Sequence, residues 1–103
     1  MLKDAPLAIE VVMKDTDKSP QMRPQDLGAC TQNILLAATE LGLGAVWIGV
    51  YPIEERYTYV EKVLNITKGR AFATIAIGYP DSDKEVVPRY DKSRVYQEKY
   101  GEK

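Results

Sequence analysis

Histidine is absent from these 103 residues. A histidine-based catalytic triad, a haem ligated by histidine and a zinc-histidine site are therefore excluded for this chain by itself. Cysteine occurs once, at Cys30, so no internal disulfide can form, and a reducing, cytoplasmic setting is expected. Neither sign of charge dominates: 15 acidic residues against 14 basic ones leave a net charge of -1. That balance supplies no general field for nucleic acid or an anionic membrane, and neither is expected as a partner. No apolar run approaches the roughly 20 residues that cross a bilayer. The opening Met1-Leu2-Lys3-Asp4-Ala5-Pro6 does not read as a secretion signal, because the apolar run behind it is short and interrupted by Glu10.

What is present is ordinary for a small folded unit: 45% of the residues are hydrophobic. A chain of this size buries only about 60–70% of its unfolded surface, so a partner subunit or a cofactor would add stability that matters. Leu7 to Met13 is apolar and β-branched behind Pro6, the pattern of a mostly buried strand. Residues 15–24 hold two prolines among polar residues and are expected to be a loop. Asp26 then suits the N-cap of a helix to Leu41, with Leu27, Cys30, Ile34, Ala37 or Ala38 and Leu41 at helical spacing. Ala29, Leu35 and Leu36 widen that stripe, as in a helix packed on more than one side. Gly42 is placed to terminate it.

Ala45 to Val50 is expected as a second strand, Glu54 to Leu64 as a shorter amphipathic helix, and Ala71 to Ile77 as a third strand. The polar, tyrosine-bearing stretch after Pro80 reads as an extended arm over residues 81–103, within a single unit spanning residues 1–103. This order predicts an α/β or α+β layer structure, with the strand pairing left open.

Isolated motifs are weak. Gly42-Leu43-Gly44 follows a helix and precedes a strand, the reverse of the order a dinucleotide fingerprint needs, so helix termination is the better account. The acidic stretch from Asp15 to Asp26 has Pro20 where a calcium loop needs glycine. Cys30 lies in an apolar helical stretch with no histidine to activate it, which points to a buried structural thiol. Arg89, Lys92 and Arg94 make either a solvated tail or an anion clamp. Trp47 reads as core, although the nearby Gly49 would let backbone approach a flat ligand.

Several longer runs carry a family resemblance. Residues 26–38, ending Asn33-Ile34-Leu35-Leu36-Ala37-Ala38, followed by Leu41-Gly42-Leu43-Gly44-Ala45-Val46-Trp47-Ile48-Gly49, resemble the nitroreductase family. Asp4-Ala5-Pro6-Leu7-Ala8-Ile9, Phe72-Ala73-Thr74-Ile75-Ala76-Ile77-Gly78-Tyr79-Pro80 and Pro88-Arg89-Tyr90-Asp91-Lys92-Ser93-Arg94 are similar to further family segments, in family order. The resemblance implies an α+β fold, a mainly antiparallel sheet with flanking helices, in an intertwined homodimer that holds FMN between its subunits. It implies an oxidoreductase in which NAD(P)H reduces FMN and a nitroaromatic, a quinone or a similar small acceptor collects the electrons. By the same resemblance Trp47, Ile48, Gly49 and Val50 face the flavin ring with their backbone, and Arg89, Lys92 and Arg94 reach the FMN phosphate. The family's first half, with its Arg-Ser-x-Arg type segment, has no counterpart, so the chain corresponds to the family's C-terminal portion. The alternative expectation is a catalytically inactive dimerisation module derived from that fold.

Overall fold

A computed structural model describes residues 4–14, 20–80 and 87–102. Three strands and two helices follow one another as β1 (Leu7–Met13), α1 (Arg23–Glu40), β2 (Gly44–Gly49), α2 (Glu54–Leu64) and β3 (Arg70–Gly78). The sheet has the order β1-β3-β2, and β3 pairs antiparallel with both neighbours. The last strand in sequence is thus the middle strand, buried from Ala71 through Ile77. A strand covered on both faces reads as a continuous apolar run rather than an alternation, as Ala71 to Ile77 does.

Register explains where the core lies. Ile75 sits opposite Ile9 on one side and Trp47 on the other, and its side chain is fully buried. Val11, Met13, Phe72, Ala73, Ile75 and Ile77 form the buried cluster, with Leu27, Ile34 and Leu35 of α1 packed against it. Val11 pairs with Ala73 while Val12 pairs with Ala71, which makes Phe72 the extra residue of a β-bulge. The bulge breaks the strict alternation at this point and brings the Phe72 ring into the same cluster as Ala73. On the other face α2 closes over Ala8, Glu10 and Thr74 with Tyr59, Val60, Val63 and Leu64.

Helix α1 begins at Arg23, three residues before Asp26, and its N-cap is Met22 with no side-chain cap. Pro24 lies in the first turn, where the amide it lacks has no helical acceptor, so it starts the helix instead of ending the loop. Asp26 falls inside that first turn, near the positive end of the helix dipole. The expected loop therefore shortens, and residues 15–19 of it lie outside the described residues.

The buried face of α1 is also rotated from the expected stripe. Thr31 and Ala38 are buried, with Leu27, Ile34 and Leu35 half-buried, whereas Cys30, Ala37 and Leu41 are exposed. Cys30 is an exposed free thiol, not a buried one, because it projects from the side of α1 that no described element covers. Thr31 is tolerated at the sheet side since its hydroxyl donates to the Leu27 carbonyl at 2.7 Å. Gly42, at φ +76°, follows the last helical turn in the left-handed region that glycine adopts without strain.

The arm runs through residues 87–102, with one 3-10 turn at Lys92–Arg94. It is exposed almost throughout, and Tyr96 alone of its described residues is half-buried. The radius of gyration of 17.1 Å exceeds the ~13 Å typical of a compact chain of this length. No helix among the described residues is long and apolar enough to cross a membrane.

Candidate functional site

Among the described residues strand β2 is an edge strand, hydrogen-bonded only to β3, so one row of its backbone N–H and C=O groups faces away from the sheet. Trp47, Ile48, Gly49 and Val50 form the C-terminal end of this edge. The Trp47 indole leans on the body: its ring centre is 6.1 Å from that of Phe72, and it lies beneath Gly28 of α1. A Cβ on Gly28 would meet the indole at 3.8 Å, ordinary contact, so helix and ring pack closely. Trp47 is nonetheless 39% exposed and not the core residue that its type suggests. Ile48 is half-buried and Val50 is buried.

Gly49 is the open position. It is exposed, and a Cβ added there would find no atom within 4 Å. Its carbonyl accepts a hydrogen bond from the Arg56 guanidinium at 3.0 Å, which ties the strand end to the first turns of α2. The Val50 carbonyl accepts from the Ile53 amide at 3.0 Å, and the Tyr51 amide donates to the Phe72 carbonyl at 2.9 Å. Backbone around Gly49 is thus fixed from both sides while its face is left clear. Arg56, in the first turn of α2, is a contributor that the sequence pattern does not single out.

The arm supplies the cations. Asp91 opens the 3-10 turn and accepts from both the Ser93 amide and the Ser93 hydroxyl, at 3.0 and 2.6 Å. Those two bonds hold its carboxyl below the ordinary aspartate value. Arg94 lies 3.6 Å from the same carboxylate, and the side chains of Arg89, Lys92 and Arg94 are exposed. Tyr96 and Tyr100 make an edge contact at 4.8 Å. The structure brings Trp47 to Val50 together as one surface, and Arg89, Lys92 and Arg94 together in the arm.

An open glycine edge beside an aromatic ring suits a flat ligand. The Nitroreductase family profile matches residues 1–79. The chain belongs to the nitroreductase family. It is 41% identical over 102 residues to a protein of Methanothermobacter thermautotrophicus provisionally named NADH dehydrogenase/NAD(P)H nitroreductase, covering 97% of this chain and 53% of that one. It superposes with a TM-score of 0.87 and 40% identity on a crystal structure from Clostridium acetobutylicum, provisionally named an NADH oxidase, covering 95% and 61% of the two chains. An FMN-dependent nitroreductase of Clostridium difficile R20291 gives a TM-score of 0.82 at 27% identity, covering 95% and 60%. The chain thus spans between about half and three fifths of these nitroreductase relatives' lengths. The small antiparallel α+β sheet with its two helices is part of the nitroreductase fold.

Proposed function

We propose that this chain serves an FMN-dependent NAD(P)H oxidoreductase, with the strand end Trp47 to Val50 facing the flavin ring and the arm reaching its phosphate. The single observation that carries the reading is Gly49: a fixed, exposed backbone position on an edge strand, with empty space where a side chain would stand. Bound there, FMN would supply the redox chemistry, taking a hydride from the nicotinamide and giving electrons to a nitroaromatic, quinone or similar small acceptor.

The chain's own residues orient. Phe72 and Gly28 hold the Trp47 indole, and with it the strand, at a set height over α1. Arg56 occupies the Gly49 carbonyl, so that backbone N–H groups on the open edge are left as donors toward a flat, acceptor-bearing ring. Arg89, Lys92 and Arg94 offer exposed charge for a phosphate, Arg in the planar fork that pairs two oxygens at once. In this reading the chain pairs as a homodimer in which each arm crosses to the other copy. The relatives' names, NAD(P)H nitroreductase and FMN-dependent nitroreductase, support the same chemistry.

The test is a titration of the purified chain with FMN, followed through flavin fluorescence, the visible spectrum and quenching of the lone tryptophan. Saturable binding is expected, weakened at least about tenfold by Arg89→Ala with Arg94→Ala. Absence of saturable binding at high protein concentration would overturn the reading. That result would favour the second one, a catalytically inactive dimerisation module.

A further inference from the structure

A separate cluster of charge lies on the β1 side of the sheet. Both β1 and β2 run antiparallel to β3, so Met13, at the end of β1, and Gly49, at the end of β2, lie at the same end of the sheet. There the end of β1, the start of α1 and the turn before β3 line an open recess of about 340 Å³. Lys14, Arg23, Lys68 and Arg70 line it, with Thr67 and Gly69 between them, and no described acidic residue does.

These four cations come from three separate stretches of sequence, and the pairing of Met13 with Arg70 gathers them. Among the described residues one carboxylate compensates them: Glu61, 3.3 Å from the Arg70 Nε. Arg70 also lies over the Tyr57 ring at 4.3 Å, which holds its guanidinium in place. Arg23 donates one N–H to the Lys14 carbonyl at 2.8 Å, and its Nε is buried with no acceptor. Lys14 and Lys68 have no carboxylate partner among the described residues. Among the described residues a net excess of three positive charges is thus held in a recess, on a chain whose overall charge is -1.

Like charges repel when gathered in this way, and an orphaned guanidinium N–H adds to the cost. A bound anion removes both penalties, and two arginines with two lysines are the set that best takes the oxygens of a phosphate. Gly69 has φ +91°, and a Cβ there would lie 2.3 Å from the Met13 carbonyl oxygen, so the backbone threads where no side chain fits. The recess is at the small end of ligand pockets, which suits a small polyanion and not a large organic body.

We propose that this recess is a binding site for a small phosphate-bearing anion, with Lys14, Arg23, Lys68 and Arg70 as its donors. It is distinct from the arm cations Arg89, Lys92 and Arg94, and it stands whether or not the strand end at Gly49 holds a flavin.

The experiment is an amide-resolved NMR titration of the full chain with sodium pyrophosphate at constant ionic strength. Saturable shifts are expected at Lys14, Arg23 and Thr67 to Arg70. The double variant Lys14→Gln with Lys68→Gln alters only exposed side chains; it should keep the remaining spectrum and raise the Kd at least about tenfold. Adenosine 2′,5′-bisphosphate identifies the source: tighter binding than pyrophosphate points to a nucleotide-borne phosphate, and equal or weaker binding to the free anion. Shifts that fail to saturate, that sodium chloride reproduces, or that the double variant leaves unchanged would overturn the proposal.

Discussion

Across the β1–β3 pair, the Thr74 hydroxyl donates to one carboxyl oxygen of Glu10, while the other oxygen is buried with no donor. Tyr59, Val60, Val63 and Leu64 of α2 lie over this pair and supply no polar partner to it. Burial raises the Glu10 carboxyl above its ordinary value of 4.5, and the Thr74 bond offsets only part of that rise. A raised carboxyl means that the folded chain holds its proton more firmly than the unfolded chain. The sign follows: stability is greatest below the ordinary value and falls as pH rises from there through the raised one. Glu10→Gln, with the same shape and no charge to desolvate, is expected to be the more stable protein at neutral pH. Its advantage should vanish in acid. Urea unfolding of both proteins across that range checks this, and a gap that stays constant with pH would refute it.

Two glycines with the same backbone sign should respond very differently to alanine. Gly42 has φ +76° with nothing near its missing Cβ, so Gly42→Ala meets backbone strain alone, about 1–2 kcal/mol. Gly69 has φ +91° and the Met13 carbonyl in the way, so Gly69→Ala must also part the turn from the end of β1. The expected loss is about 2–4 kcal/mol, a large share of the stability of a chain this small. Denaturant midpoints for the two variants test the order. Equal losses would mean that the turn at Gly69 relaxes freely.

Much of this was legible because local signals were unambiguous. Leu7 to Met13 and Glu54 to Leu64 carry their own boundaries, in Pro6 before the strand and in the paired acids that open the helix. The start of α1 was misread because proline serves both to close a loop and to open a helix, and only the surrounding fold decides between them. Which face of α1 is buried was also hidden: a helix apolar nearly all round does not say which side meets its own sheet, and Cys30 fell on the other. The bulge at Phe72 and the central place of β3 are pairing facts, and a strand's own pattern does not name its neighbours. At the candidate site, Trp47 to Val50 was legible as one contiguous run. The recess of Lys14, Arg23, Lys68 and Arg70 was not, because register alone assembles it.

Helix α1 leaves Leu36 58% and Leu41 74% exposed, on a chain short of surface to bury. Leucines this open near one helix end are expected to be covered by a second copy. Leu36→Glu should then leave the protomer fold within about 0.5 kcal/mol of the parent, since the side chain already meets solvent there. The same change should move the protein from dimer to monomer. Light scattering coupled to size exclusion reads this directly, and a parent that is monomeric at high concentration would remove the basis for crossed arms.

Gly49→Ala separates folding from cofactor binding. Gly49 does not have a positive φ, and the space at its Cβ is empty, so alanine fits without strain. Glycine in a strand loses more conformational freedom on folding than alanine does, and the variant should be more stable by about 0.4–1 kcal/mol. A ring lying flat on the backbone, however, must rise to clear the new methyl, lengthening every hydrogen bond from the strand edge. FMN affinity is then expected to fall about tenfold while the unfolding midpoint rises. Fluorescence titration alongside urea unfolding gives both numbers from one preparation. A rise in stability with unchanged FMN affinity would show that the ring does not lie against Gly49, and would move the site away from the β2 edge.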